Sequence, residues 1–318
     1  MLSVETMLSY FYIIYFVLAT IFQCLLLYCI VFHSPKYMRM FQVLLGSSAV
    51  SQLLTLYSAC FVQLGIVTTE DPMIMESFGP CRFYDARSCF IIYLIGQTFA
   101  LISPISILVM FYFKFLSVST LIVPTQRLVR CFLLFHSPIL IFAVLQYWTP
   151  EVVYAFPHDD TFYKNLNADV SVLLTVAYLP LSSFLVTFTL SIINLVAFVP
   201  VPMCWYLRRR ILKEVNMRLD KMSATAQSQH KTFVMGLFIQ VLIPTIIYPL
   251  SFTVYYVFAI IGVELPLHKF SAFLVGALPF VVDPLVSMYF VTPYRRKIKS
   301  WVNNSEVRTL PVVTRFSS

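Results

Sequence analysis

The chain has 318 residues, 59% of them hydrophobic and only 11% charged, with a formal net charge of +8. A soluble globular chain carries about 25% charged residues, so too few are present here to cover a water-facing surface. The excess positive charge sits in clusters between long apolar runs rather than along one face, which argues against a nucleic-acid binding role and points to a membrane.

The first uncharged run spans 9–32 and ends at His33-Ser34-Pro35-Lys36 and Arg39. The second, 40–66, leads into an acidic loop with Glu70, Asp71 and Glu76. The third ends at Lys114, and the fourth lies between Arg130 and Glu151. The fifth, 170–207, is long enough for two short spans. Its flanks decide the count: acids at Asp159, Asp160 and Asp169 before it and Arg208-Arg209-Arg210 after it require an odd number of crossings. The sixth runs from Lys231 to Glu264, and the last from Phe270 to Tyr294, broken only by Asp283. A bilayer core about 30 Å thick needs about 20 helical residues. The expected fold is therefore an all-α membrane protein: a seven-helix bundle with spans near 9–32, 41–66, 89–113, 131–149, 183–207, 233–260 and 268–291 within a domain 1–302, followed by a tail 303–318.

Loop charges set the expected orientation. One set of alternating loops holds 18 Lys and Arg and three acids; the other holds four basic residues and ten acids. This predicts the N-terminus outside and the C-terminus in the cytoplasm. Glu5 and the lack of a basic stretch before the first run argue against a cleaved signal peptide. The sequon Asn303-Asn304-Ser305 falls on the inner side, where it stays unglycosylated. The segment Pro293 to Val302 places Ile298, Trp301 and Val302 on one helical face, as a short amphipathic helix against anionic lipid would.

No enzyme constellation, phosphate loop or metal-ligand spacing appears, and no cofactor is implied. His136 is the one histidine within a span, read as a hydrogen-bonded core residue. Asp283 is the one acid deep in a span, and an ionisable group there is a functional candidate by default. Joined to Pro284, it combines a polar group with a helix break and suggests a conformational switch. Pro244 and Lys114 are the other switch candidates. Cys81 and Cys89 lie in a polar outer loop; a bridge would close a small loop in an oxidising compartment, and two free thiols are the other reading. The remaining five cysteines read as small hydrophobes. Depth along the spans alone nominates Tyr57, Tyr93, Gln97, Tyr178, Tyr248, Phe252 and Tyr255 for a ligand pocket in the outer half. The inner face carries Arg208, Arg209, Arg210, Lys213, Lys231, Arg295 and Arg296.

Two motifs, Ser34-Pro35-Lys36-Tyr37-Met38-Arg39 and Phe78-Gly79-Pro80-Cys81-Arg82-Phe83-Tyr84 with Cys89-Phe90, resemble those of nematode serpentine chemoreceptors of class delta, a seven-transmembrane family that looks like the G-protein-coupled receptors. Two more, Gln229-His230-Lys231 leading to Gln240-Val241-Leu242-Ile243-Pro244, and Asp283-Pro284 with Tyr289-Phe290-Val291 and Pro293-Tyr294-Arg295, are similar to the sixth-span entry and seventh-span ending of the wider serpentine superfamily. The resemblance covers about residues 9–302 and implies an olfactory-type receptor in the plasma membrane of sensory cilia. Such a receptor binds a small molecule in the bundle and activates a heterotrimeric G protein. Where the family tends to carry an Arg between aromatics, this chain reads Phe113-Lys114-Phe115, which keeps the charge and loses the planar fork. The seventh span has Asp-Pro rather than Asn-Pro-x-x-Tyr and lacks the mid-span Lys of an opsin. The rival readings are a small-molecule transporter, which needs paired intramembrane ionisable groups, and a ligand-gated channel of the sensory membrane.

Overall fold

The computed structural model describes residues 4–35, 38–68, 73–119, 125–147, 174–179, 182–217, 223–261 and 278–303. Long helices follow the apolar runs: α1 Val4–His33, α2 Arg39–Val62, α3 Ala86–Ser119 and α4 Thr125–Tyr147. After them come α5 Phe184–Phe198, α6 Pro200–Met217, α7 Ala224–Ile261, α8 Pro279–Phe290 and α9 Thr292–Asn303. Among the described residues, six helical segments are long and apolar enough to cross a bilayer, α5 and α6 together forming one of them; α8 is apolar with 12 residues, and the first part of the expected seventh span, 268–277, lies outside the described residues. The break between α5 and α6 is slight. Val199 keeps helical angles and donates to Leu195 O, while Pro200 and Pro202 offer no N–H to continue the ladder.

The outward faces are apolar. Ile13, Ile14 and Ile21 on α1 and Leu133, Leu134 and Ile141 on α4 are each more than half exposed. A water-facing helix would place polar groups there; a helix against lipid has no need of them. The apolar core is largest at the end where α1 finishes and α2 begins, where Leu26, Leu44, Val109, Phe111, Ile211 and Val234 are buried together. Basic side chains cluster at this end, called here the basic end.

The opposite end carries a small sheet, which corrects the all-α expectation. Strands β1 Leu64–Thr68, β2 Met73–Ser77 and β3 Leu174–Leu179 pair antiparallel in that order. Each is rich in β-branched or large apolar residues, and outside the apolar spans the backbone is free to pair between strands. The segment before the fifth span thus contributes a strand.

The sheet is fixed to the helices through the Phe78-Gly79-Pro80-Cys81 stretch. Gln63 ends α2 in a left-handed conformation and donates to Ala59 O. Ser77 Oγ donates to Val62 O at 2.6 Å, and the Gly79 N–H to the same carbonyl at 3.2 Å. A β-carbon on Gly79 would strike the Phe61 carbonyl, so this close passage requires glycine. Pro80 opens a short 3₁₀ turn, and Cys81 forms a disulfide with Cys89 in the first turn of α3. The carboxylate of Asp85 caps α3 by accepting from the Ser88 N–H and hydroxyl, and these donors hold it below the usual Asp range.

Helices α2 and α3 pack closely in the bundle's interior. Gly96 lies against Ser58, where a β-carbon would collide with the serine side chain. Ser58 Oγ donates to Ile92 O at 2.6 Å, and Thr55 Oγ1 to Gly96 O at 3.2 Å. Small residues that let backbones approach, with hydroxyls bonding across, are the usual solution where no hydrophobic drive separates helices from lipid. Gly236 plays the same part for α7, against the Phe290 side chain at the end of α8.

Candidate functional site

The site grows from the break at Pro284. A proline has no N–H, so the carbonyl four residues earlier, Phe280 O, loses its helical partner. Gln23 of α1 supplies the donor: its Nε2 reaches Phe280 O at 3.2 Å. The same amide donates to Gln52 Oε1 at 2.6 Å. Gln52 Nε2 then donates to Asp283 Oδ2 at 2.7 Å and to Ser103 Oγ at 3.1 Å. Ser103 meets Ser48 at 3.2 Å. From α7, Gln240 Nε2 donates to Ser287 Oγ at 2.6 Å and touches the Asp283 carbonyl at 3.4 Å.

This network joins α1, α2, α3, α7 and α8, and all its members are buried; Gln23 is 0% exposed and Asp283 4%. Both amide hydrogens of Gln23 and both of Gln52 are engaged. The network is therefore richer in acceptors than in donors: Asp283 Oδ1 and Gln23 Oε1 have no partner among the described residues. Buried polar groups are costly when unpaired, so these two acceptors weigh against the cluster as it stands.

The basic end is held differently. Lys114 at the end of α3 is 9% exposed, with Nζ 5.3 Å from the Phe41 ring of α2 and 4.9 Å from the Phe233 ring of α7. The two rings meet edge-on at 5.4 Å. Among the described residues no carboxylate pairs with this ammonium; two aromatic faces do that work. Arg208 lies over Phe238 of α7 at 4.8 Å, Arg209 over Trp205 at 3.6 Å and Arg210 over Tyr206 at 5.3 Å. Arg295 sits over Tyr289 at 5.7 Å, while Arg296, Lys213 and Lys231 are exposed.

Two motifs 260 residues apart meet here. Ser34 Oγ and Tyr294 Oη are 2.6 Å apart, tying the exit of α1 to α9. Burial pushes the Tyr294 phenol up to about 12, so the hydroxyl keeps its proton and can serve either role in that bond. Trp301 of α9 packs at 5.9 Å from both Tyr28 and His33.

The pocket candidates fall in different places. Tyr93 is half-buried on α3 beside Phe90. Gln97, one turn further along α3, has its Oε1 buried without a hydrogen-bond partner among the described residues. Tyr57 is 49% exposed, on the outward stripe of α2 with Val43, Val50 and Leu54, and packs edge-on against Phe16 of α1. Tyr178 lies on β3, paired in register with Ile74; Tyr248, Phe252 and Tyr255 lie on α7; the side chains of these four fall outside the described residues. Pro244 is half-buried in α7, one turn from Gln240. His136 is buried on α4, its Nδ1 2.7 Å from Phe132 O and its Nε2 3.0 Å from Ser106 Oγ of α3. A protonated Nδ1 leaves Nε2 to accept from the serine.

Sequence reasoning found Asp283, Pro284 and Lys114 but missed Gln23, Ser48, Gln52, Ser103 and Ser287. The available signal was chemical: a glutamine inside an uncharged span must find a partner or be costly to bury.

Comparison with known proteins accounts for nearly the whole chain. Residues 8–300 match the family described as serpentine type 7TM GPCR chemoreceptor Srd. Serpentine receptor class delta-40 of Caenorhabditis elegans is 32% identical over 308 residues, covering 96% of this chain and 95% of the relative. Class delta-44 of the same organism is 31% identical, covering 90% and 89%, and class delta-48 is 26% identical, covering 96% of both. The chain belongs to the Srd family of serpentine chemoreceptors, multi-pass membrane receptors rather than enzymes.

Proposed function

We propose that this chain is an olfactory-type receptor of the sensory-cilium plasma membrane that binds a small-molecule cue at the strand end and activates a heterotrimeric G protein at the basic end. In this reading the seventh span crosses fully, the N-terminus and sheet face outward, and α9 lies along the inner leaflet with its basic residues at the lipid surface. The observation that carries the proposal is the five-helix network at the Asp283-Pro284 break. It lies between the two ends and couples α7 and α8 to α1, α2 and α3 through bonds that can exchange. A ligand can shift a receptor only by binding its two states differently, and an acceptor-rich buried cluster offers two such arrangements.

The proposed pocket centres on Tyr93 and Gln97, and Tyr178 on β3 and Tyr248, Phe252 and Tyr255 on α7 are proposed as further members. Gln97 Oε1, buried and unpartnered among the described residues, suits a hydrogen-bond donor on the ligand. Tyr57, on the outward stripe of α2, is the member least fitted to it. At the basic end, Lys114 between its two rings is the proposed inner switch, with Arg208, Lys213, Lys231, Arg295 and Arg296 facing the G protein.

The test is made in one cell line with both termini tagged. Staining before permeabilisation is expected for the N-terminal tag alone, and an odorant panel is expected to yield a cyclic-nucleotide or calcium signal. An intracellular N-terminus would overturn the orientation. A ligand-evoked current that persists with G proteins blocked would replace the receptor reading with a channel.

A further inference from the structure

The three arginines at the end of the fifth span do not share one environment. Cys204, Ile211 and Val215 are buried, and Arg208 lies on the same stripe of α6, half-buried against Phe238 and Met235 of α7. Arg209 and Arg210 lie off that stripe and are exposed. They end an outward apolar face that includes Leu195 and Phe198 of α5 and Val199 at the break, and continues through Trp205 and Tyr206, the last two 43% and 54% exposed. Each guanidinium rests on the ring one turn behind it, at 3.6 Å for Arg209 on Trp205 and 5.3 Å for Arg210 on Tyr206.

We propose that this end of α6 is a binding site for the phosphate of an anionic phospholipid, with Arg209 and Arg210 as its donors and Trp205 and Tyr206 as their supports.

Depth fixes the occupant as a lipid. From Phe184 to Leu207 the chain is uncharged, and at about 1.5 Å per residue those helical residues span about 36 Å, enough to cross a core of about 30 Å. Trp205 and Tyr206 therefore come at the hydrocarbon boundary, where such rings are favoured, and the two guanidiniums one turn further on reach headgroup depth. Stacking on a ring orients the planar group while leaving its N–H fork free. Arg210 commits one donor, Nε to Tyr206 Oη at 3.0 Å, and the other guanidinium donors of Arg209 and Arg210 have no acceptor among the described residues. A phosphate supplies acceptors in the geometry such forks prefer. Glu214 is the one acid on α6, a turn beyond Arg210, and no ion pair joins it to either arginine among the described residues.

The test uses the full chain in nanodiscs with Trp148→Phe and Trp301→Phe, leaving Trp205 as the one tryptophan of three. Phosphatidylcholine discs are doped with equal small amounts of brominated phosphatidylserine or brominated phosphatidylcholine. Trp205 is expected to be quenched preferentially by the anionic lipid, with local enrichment of about fivefold for each charge. The preference is expected to fall in R209Q and in R210Q, to vanish in the double variant, and to persist in R208Q. Equal quenching by the two lipids in the chain carrying all three arginines overturns the proposal without reference to any variant. Loss of the preference on adding inorganic phosphate alone also overturns it, in favour of a soluble anion. Both disc faces carry the same lipid, so the result is independent of membrane orientation and of signalling.

Discussion

At the strand end, Cys81 is bonded to Cys89, β1, β2 and β3 share a ladder, and Ser77 and Gly79 both donate to Val62 O. At the basic end, Lys114 lies between Phe41 and Phe233, and Arg208, Arg209 and Arg210 rest on rings. The first set of contacts is covalent or directional and has one geometry. The second is attraction between a charge and an aromatic face, which loses little when a helix slides or tilts. On the reading proposed above, such a bundle keeps the strand end fixed and lets the basic end rearrange. Between them the Asp283 cluster holds five helices by bonds with unused acceptors among the described residues, and the proposed reading routes motion from one end to the other through it.

The difference can be broken from either side. The largest expected effect is at the strand end: Cys81→Ser should lower thermal stability in detergent by about 2–3 kcal/mol, the value for a short closed loop. Amide exchange should rise across Leu64–Thr68 and Met73–Ser77 and stay unchanged near Phe233; an equal rise at the basic end would dissolve the distinction. Next, Gly96→Val forces a side chain into Ser58 at the α2–α3 seam, for an expected loss of about 2 kcal/mol by overpacking, read as a lower melting temperature. A smaller effect of about 1 kcal/mol is expected for Phe233→Leu, which keeps an apolar side chain in the core and removes one of the two rings over Lys114. Its signature is altered ligand-independent signalling at nearly normal surface expression, whereas Cys81→Ser should reduce expression. The smallest is Ser34→Ala, which leaves the Tyr294 hydroxyl without this partner and should cost somewhat under about 1 kcal/mol, sharpened by a matching loss in Tyr294→Phe and no further loss in the double variant.

Much of the fold is legible because burying a long uncharged run in a helix is one of very few solutions in lipid. Asp283 stands out as the single acid within a span, and Cys81 and Cys89 as the two cysteines in polar sequence. What stays hidden follows from the same chemistry. A soluble helix shows its buried face by a polar stripe opposite; a helix apolar all round shows none, so depth could nominate Tyr57 but not reveal that it points outward with Val50 and Leu54. Gln23, Gln52 and Ser103 lie on three different helices, and nothing local to any of them says that they meet. Phe41 and Phe233 look like ordinary span residues until Lys114 is seen between them. The three strands were missed because loop sequence with few alternating positions gives no period to read.

The central claim is that the Asp283 cluster links the two ends. Gln52→Leu tests it most directly, because that one side chain contacts Gln23, Ser103 and Asp283 together. Surface expression of the tagged variant and its response to an activating odorant would be measured side by side with the unaltered chain. The account predicts a response reduced at least about tenfold at comparable expression, the change expected from losing about 1.4 kcal/mol of coupling. An unchanged dose–response curve at equal expression would contradict it.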